Sequence, residues 1–469
     1  MTPPFSSTHA RTDTRTSSSH DEPAAAGPAT AEQQTAQPTA AETAAAESAA
    51  ADPAEVEEPS PRGSFALLRD RTFGPFFAGK LLSTIGVWIH NIAAVIVVWD
   101  LTRSTLLVGA VSIGQFTPQL LLAPWSGARA DRGDRRKQLL AGRIVTAAGS
   151  GGLALWIWLI GIEGTSGAAV VIAAATVVGI GFALGGPAMN ALVPALVRPR
   201  ELPGAIALGS LPMTVARSAG PAVGALLLYS AGPAAAFGVA ALLNVLFTII
   251  IASISIRDVP RRQSNDGSVR AGWRYLRADA GMTALMLGVV TIGIGADPVI
   301  TLTPAIADRL GQASSFVGTL ASSFGIGAAA GFLMLSRARL LLGLPRLAVT
   351  GLGSLAIMLA LAITPTVMTA VLALAIAGVG MAFALTSLTT MIQQQVPEEL
   401  RGRVMALWGV AFLGSRPLAA GVSGWITDQI NVTVALIVVS AVLLVGAITV
   451  RPSRVNPYRV KRARRESRR

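Results

Sequence analysis

Six ionisable side chains interrupt long apolar runs in this 469-residue chain: Lys80, His90, Arg143, Arg217, Asp297 and Arg416. A charge in hydrocarbon is costly and usually faces a cavity or marks an ion path, so chemistry is to be sought at these six. Lys80, Arg143 and Arg416 lie close enough to span ends to reach the headgroups by snorkelling. Asp297 does not. It lies about 15 residues into its apolar stretch, roughly 22 Å at ~1.5 Å per residue. Pro298 follows it, which predicts a break in the helix. A carboxylate there can take up and release a proton, and so can the imidazole of His90. Asp297, His90, Arg217 and Arg416 are therefore the candidates for proton coupling and for lining a cavity. There is no cysteine, and His9 and His20 lie in the N-terminal segment. Thiolate metal sites and cysteine nucleophiles are excluded. No cluster of His, Asp or Glu stands beside a nucleophile, so neither an enzyme nor a metal site is expected. The pairs Gly179/Gly181 and Gly378/Gly380 lie inside apolar runs with no strand before them. They read as close helix contacts, not as phosphate loops, and no cofactor is expected.

The elements that hold these residues follow from composition. Apolar residues make up 52% and charged residues 13%, about half the charge of a soluble domain. Residues 1–62 carry 3 basic and 10 acidic side chains in an Ala/Pro/Thr/Glu-rich stretch, which is expected to be disordered. The last segment, 451–469, is strongly basic. Between them, runs long enough to span a bilayer occur at 73–100, 105–126, 138–161, 167–192, 203–229, 233–256, 282–307, 313–335, 346–364, 366–391, 403–427 and 432–450. Eighteen basic residues fall in the loops of one side, from Arg129 to Arg403, against only Arg103 and Arg309 on the other. Positive loops stay cytoplasmic, so both termini are expected there. Trp99, Trp125, Trp158 and Trp425 fall near span ends, where interfacial aromatics belong.

Shifting the chain against itself finds an echo. Thr84-Ile85-Gly86 matches Thr291-Ile292-Gly293, and Val108-Gly109 matches Val317-Gly318. Gly179-x-Gly181 matches Gly378-x-Gly380, and Arg217 matches Arg416. The order is shared and the offset stays near 200, which implies two six-helix halves around a central site. The expected divisions are 63–256 and 282–450, joined by a polar, basic linker at 257–281. At the offset of the first match, His90 is the counterpart of Asp297.

After the second span comes Gly127-x-x-x-Asp131-Arg132-x-x-Arg135-Arg136, with Asp134 where a second glycine is usual. This resembles the loop signature of the major facilitator superfamily. Gly220-Pro221-x-x-Gly224 in the fifth span resembles the superfamily's antiporter signature, with Ala225 at its last glycine. The variant loop is similar to the branch that holds macrolide-efflux proteins and the enterobactin exporter. In physical terms, Asp131 can pair with Arg132 or Arg135, or accept hydrogen bonds from a neighbouring helix N-terminus in one state. Pro221 removes a backbone donor, while Gly220 and Gly224 allow close helix approach.

The expected fold is thus an all-α membrane protein of twelve transmembrane helices in two pseudo-symmetric halves. The expected function is secondary active transport: efflux of an amphipathic small molecule, such as a drug or siderophore, across the plasma membrane. The proton gradient is the expected energy source, with Asp297 carrying the proton. Proton-coupled uptake and a non-transporting membrane sensor are the alternatives. Gln115, Asn190, Asn244 and Gln393 are candidate polar residues of the cavity. The expected partners are substrate, protons and lipid, with no nucleic acid, and the chain is expected to act as a monomer.

Overall fold

The computed structural model describes residues 63, 65–254, 269–361 and 366–455. The expected N-terminal tail, most of the linker, the Thr364-Pro365 boundary and the basic tail beyond 455 lie outside the described residues. Without water to satisfy the backbone, a crossing segment must bond internally, and every crossing segment here is helical. Spans 1 to 4 are Phe73–Thr102, Thr105–Arg132, Arg135–Leu159 and Gly164–Leu196. The next helix, Leu202–Ser253, contains Gly232 at φ 82° and ψ 173°. Only glycine adopts that geometry freely, and Pro233 after it cannot donate back. The helix is therefore two spans, 5 and 6, joined at a corner. Span 7 is built from Ala280–Ala296, Pro298–Thr301 and Thr303–Arg309, and spans 8 to 12 are Phe316–Leu342, Leu344–Leu361, Val367–Gln395, Glu398–Gln429 and Val432–Thr449.

Local chemistry sets the ends. Arg103 closes span 1 in the left-handed region at φ 53°, with its N–H on the Trp99 carbonyl at 2.7 Å. Asp134, the departure from the loop signature, caps span 3 by accepting from the Lys137 N–H at 3.0 Å. A glycine could not supply that acceptor. Trp158 is 75% exposed, and Trp125 and Trp425 are each 54% exposed, as anchors at the interface should be. Trp99 is not an anchor: it is buried, with the Arg103 guanidinium 5.8 Å from its ring.

Packing repeats with the sequence echo. A Cβ on Gly109 in span 2 would lie 2.6 Å from the Ala420 carbonyl oxygen in span 11. One on Gly318 in span 8 would lie 2.9 Å from that of Pro221 in span 5. Gly142 sits against Gly181 and Gly185 just as Gly351 sits against Gly380 and Ala384. Gly179 meets the backbone of Gln115, and Gly378 that of Phe324. Lipid gives helices no hydrophobic reason to associate, so close backbone contact at small residues does that work. In the tightest case, a Cβ on Gly327 would overlap the Ala375 carbonyl. Gly327→Ala is expected to cost ~1–3 kcal/mol through overpacking, read as a lowered melting temperature in detergent. Gly353→Ala, with no atom within 4 Å of the added carbon, serves as the control and should show no loss.

Candidate functional site

Span 7 breaks where the sequence predicts, between Ala296 and Pro298, so the carboxylate of Asp297 is fully buried beside an interrupted backbone. Thr301 donates to Asp297 Oδ2 at 2.8 Å, and the Thr301 hydroxyl lies 3.5 Å from that of Ser112 in span 2. Arg416 in span 11 is 7% exposed, with its guanidinium carbon 3.9 Å from the Phe116 ring centre. Arg217 in span 5 places its guanidinium 5.7 Å from the Trp88 ring. The charges of Asp297 and Arg217 both act on Arg416 through space. The two arginines, Trp88, Ala296, Phe324 and Met381 are among the residues enclosing a cavity of ≈ 20 Å³, about the space of one water-sized group. Asp297 Oδ1, Arg217 Nε and Arg416 Nε are buried without a hydrogen-bond partner. Buried polar atoms are normally satisfied, so two orphaned guanidinium atoms on the residues of one void, with a third on Asp297 next to its Ala296 wall, mark it as the place where something else binds.

The cavity is shut on one side. At the arginine-poor end, Asp428, next to last in span 11, caps the start of span 2. It accepts from Ser104 Oγ at 2.6 Å, from the Thr105 N–H at 2.7 Å and from the Leu106 N–H at 3.0 Å. Arg103 pairs with Asp308 at 3.2 Å, and Ser314 donates to Asp100. Halfway down, the Ala222 N–H donates to Ser322 Oγ at 3.0 Å. Among the described residues, every hydrogen bond joining the two halves lies at this end or near the middle. At the opposite, arginine-rich end, Asp131 is exposed and has no partner among the described residues. Arg135 donates to the carbonyls of Ala130 and Ala191 instead, and Arg136 to those of Ile251 and Ala252, tying the loop to the end of span 6. The expected pairing of Asp131 with Arg135 is therefore not made here, because carbonyls at helix ends take up the guanidinium. Arg132 is exposed, and no Cβ contact would arise at Gly127.

The other expected site residues are dispersed. His90 does not meet Asp297. Its Nδ1 lies 3.1 Å from the Ser150 hydroxyl, and its ring packs edge-on against Phe237, both within its own half. Asn244 accepts from Ser83 at 2.7 Å, and Ser83 accepts from Arg143 at 2.9 Å, in a buried network of the first half that does not line the cavity. Gln115 is packed between spans 2 and 4, and Asn190 and Gln393 are exposed. None of the four lines the cavity. The snorkelling option fails for Arg143, Arg416 and Lys80, which are buried, and Lys80 donates to the Gly209 carbonyl at 2.8 Å. Gly220 and Gly224 make room for Trp88 and Ile89 of span 1, and Pro221 presents its carbonyl to Gly318. Asp428 and Asp308 escaped the sequence reading, and so did the pairing of Arg103, which was read only as a loop charge. A usable signal was present: Gly424-x-x-x-Asp428 repeats the pattern Gly127-x-x-x-Asp131 at the end of the partner helix.

The model of the transmembrane secretion effector family matches residues 62–467. Enterobactin exporters of Shigella boydii serotype 4 and Escherichia coli O81 are each 28% identical over 422 residues, covering 83% of this chain and 94% of the relative. Among solved structures, the nucleoside transporter NupG aligns with a TM-score of 0.65 at 11% identity, over 80% of this chain and 97% of its own. A D-xylose–proton symporter aligns with 0.64 at 14%, over 81% and 99%. These two likenesses establish the major facilitator fold.

Proposed function

Because the chain belongs to the transmembrane secretion effector family, we propose that it exports an amphipathic, siderophore-like small molecule across the plasma membrane by proton-coupled alternating access. The carrying observation is the asymmetry of the cavity, which is clamped at the arginine-poor end and unlatched at the arginine-rich end. With the arginine-rich loops in the cytoplasm, this is the state that loads from inside, and both termini are cytoplasmic. Substrate enters past the unlatched Asp131 and reaches the two arginines. The halves then rock, so that the Asp428 clamp parts and Asp131 meets the cytoplasmic start of span 11, where a helix N-terminus favours a carboxylate. Release is to the outside. A proton taken up there by Asp297 and given up to the cytoplasm resets the carrier. The expected divisions at 63–256 and 282–450 are the bodies that move, and one chain suffices for the cycle.

The test is accumulation of labelled enterobactin in energised inverted vesicles. Uptake that collapses on adding a proton ionophore is expected. Uptake that is equal with and without the ionophore removes proton coupling, and uptake that is absent in both removes this substrate class.

A further inference from the structure

Two arginines line the central cavity, and one buried carboxylate, that of Asp297, acts on one of them from behind the cavity wall. We infer that the cavity is a binding subsite for an anionic group of the transported molecule, with Arg217 as the anchoring residue and Arg416 as the counter-charge shared with Asp297. This rests on the transport reading above and narrows its substrate class.

The argument begins with the count of charges. Of the ionisable groups enclosing the cavity or acting on it, Arg217 and Arg416 are positive, and Asp297, when ionised, is negative. One positive charge is left over on buried side chains. Burying an unpaired charge costs several kcal/mol, and no described carboxylate is placed to offset this one. Both arginines have a buried Nε with no partner, while each guanidinium is held near an aromatic ring, Trp88 for Arg217 and Phe116 for Arg416. A guanidinium over a ring keeps its N–H edge free for an oxygen lying in the guanidinium plane. The fork suits a carboxylate, a sulfonate or an ionised phenol.

Both arginines are also held by close backbone packing, Arg217 from across the interface between the halves and Arg416 from within its own half. Gly325 of span 8 abuts the Arg217 carbonyl, and Gly293 of span 7 abuts Phe412 and Ser415, one turn and one residue before Arg416. Such positioning suits a preformed site better than a chance burial. The size sets the rest. At ≈ 20 Å³ the void takes a head group only, so the body of the molecule lies outside it, on the arginine-rich side that the proposed cycle opens for loading. Apolar walls from Phe324, Ile300 and Met381 favour an aromatic or aliphatic body next to the anion.

A charge consequence follows. On the outward leg Asp297 is ionised, and a bound mono-anion brings the site to zero. On the return leg Asp297 carries the proton, so the empty site moves two positive charges inward, and an inside-negative membrane potential pulls it back, at ~2.3 kcal/mol per charge for each 100 mV.

Three probes of one size separate the possibilities: 1-naphthoate, its methyl ester and 1-naphthylmethylammonium, titrated calorimetrically into the purified full-length protein. Naphthoate is expected to bind at least about tenfold tighter than either twin, the margin of one charge-assisted hydrogen bond. Arg217→Gln is expected to erase that margin, and Arg217→Lys to keep part of it. Equal or tighter binding of the ester or the ammonium ion overturns the inference, and so does the absence of naphthoate binding. The three-probe comparison on the unaltered protein decides the matter even if Arg217→Gln does not fold. If naphthoate binds with the expected preference but is not accumulated by inverted vesicles, the subsite stands and the export reading falls.

Discussion

Asp297→Asn is expected to abolish pH-gradient-driven accumulation in proteoliposomes while leaving downhill exchange of substrate in place. The amide has the carboxylate's shape and can still accept from the Thr301 hydroxyl, now 2.8 Å from Oδ2, but it cannot exchange a proton in the working range. The expected loss of coupled accumulation is at least about tenfold, the usual scale for removing a positioned proton-transfer group. The substitution also leaves Arg217 and Arg416 with no opposing charge near the cavity. That costs stability on the order of a few kcal/mol, so thermal stability in detergent is measured alongside. The exchange assay separates the two effects, because a misfolded carrier loses exchange as well as accumulation. Full pH-driven accumulation by the Asn variant would remove Asp297 from the coupling scheme.

The second large effect is expected at the outer clamp. Asp428→Ala removes three hydrogen bonds to an ionised acceptor that join span 11 to the start of span 2. Bonds to charged groups contribute roughly 1.5–3 kcal/mol each when formed. Part of this is regained from water once the exposed end opens, so a net shift of ~2–3 kcal/mol is expected, or about 30- to 150-fold in the ratio of the two states. The chain has no cysteine, so a single Val108→Cys reporter is clean. Val108 is fully buried beside the Gly109–Ala420 contact. Its labelling by a membrane-impermeant maleimide from the arginine-poor side should accelerate at least about tenfold in the Asp428→Ala background. An unchanged labelling rate shows that the clamp does not hold the closed state. Substrate export should fall too, since a carrier resting open to the outside loads poorly from within.

Much of the architecture was readable from residue order. Crossing segments are a one-dimensional property: a run of apolar residues about 20 long bounded by arginines. The spans found at Phe73–Thr102, Gly164–Leu196 and Val432–Thr449 therefore differ from the expected ones only at their ends. Pro298 announced the break in span 7, and Gly232-Pro233 lies where spans 5 and 6 divide. The internal echo was readable as well, because glycines that admit a neighbouring backbone recur at matching places in both halves. The site was legible only in part. Asp297, Arg217 and Arg416 were singled out as costly charges, and the structure places the two arginines on one void with Asp297 close enough to act on Arg416.

Sequence alone thus determined the number of crossings, the arginine-rich side and the rare charges that must be accommodated. Tertiary structure alone decided which way each charge faces. His90 and Asp297 hold equivalent places in the repeat, yet the unbroken span 1 turns His90 toward Ser150 and Phe237. The break at Pro298 instead leaves Asp297 beside the cavity wall at Ala296, within reach of the Arg416 charge. Rotation of a helix about its own axis is fixed by the close glycine contacts across the bundle and by interruptions of its hydrogen bonding. Hydropathy along a chain carries no record of that rotation. The clamp at Asp428 was hidden for a related reason: its partners lie more than 300 positions away, and only folding brings the end of span 11 to the start of span 2.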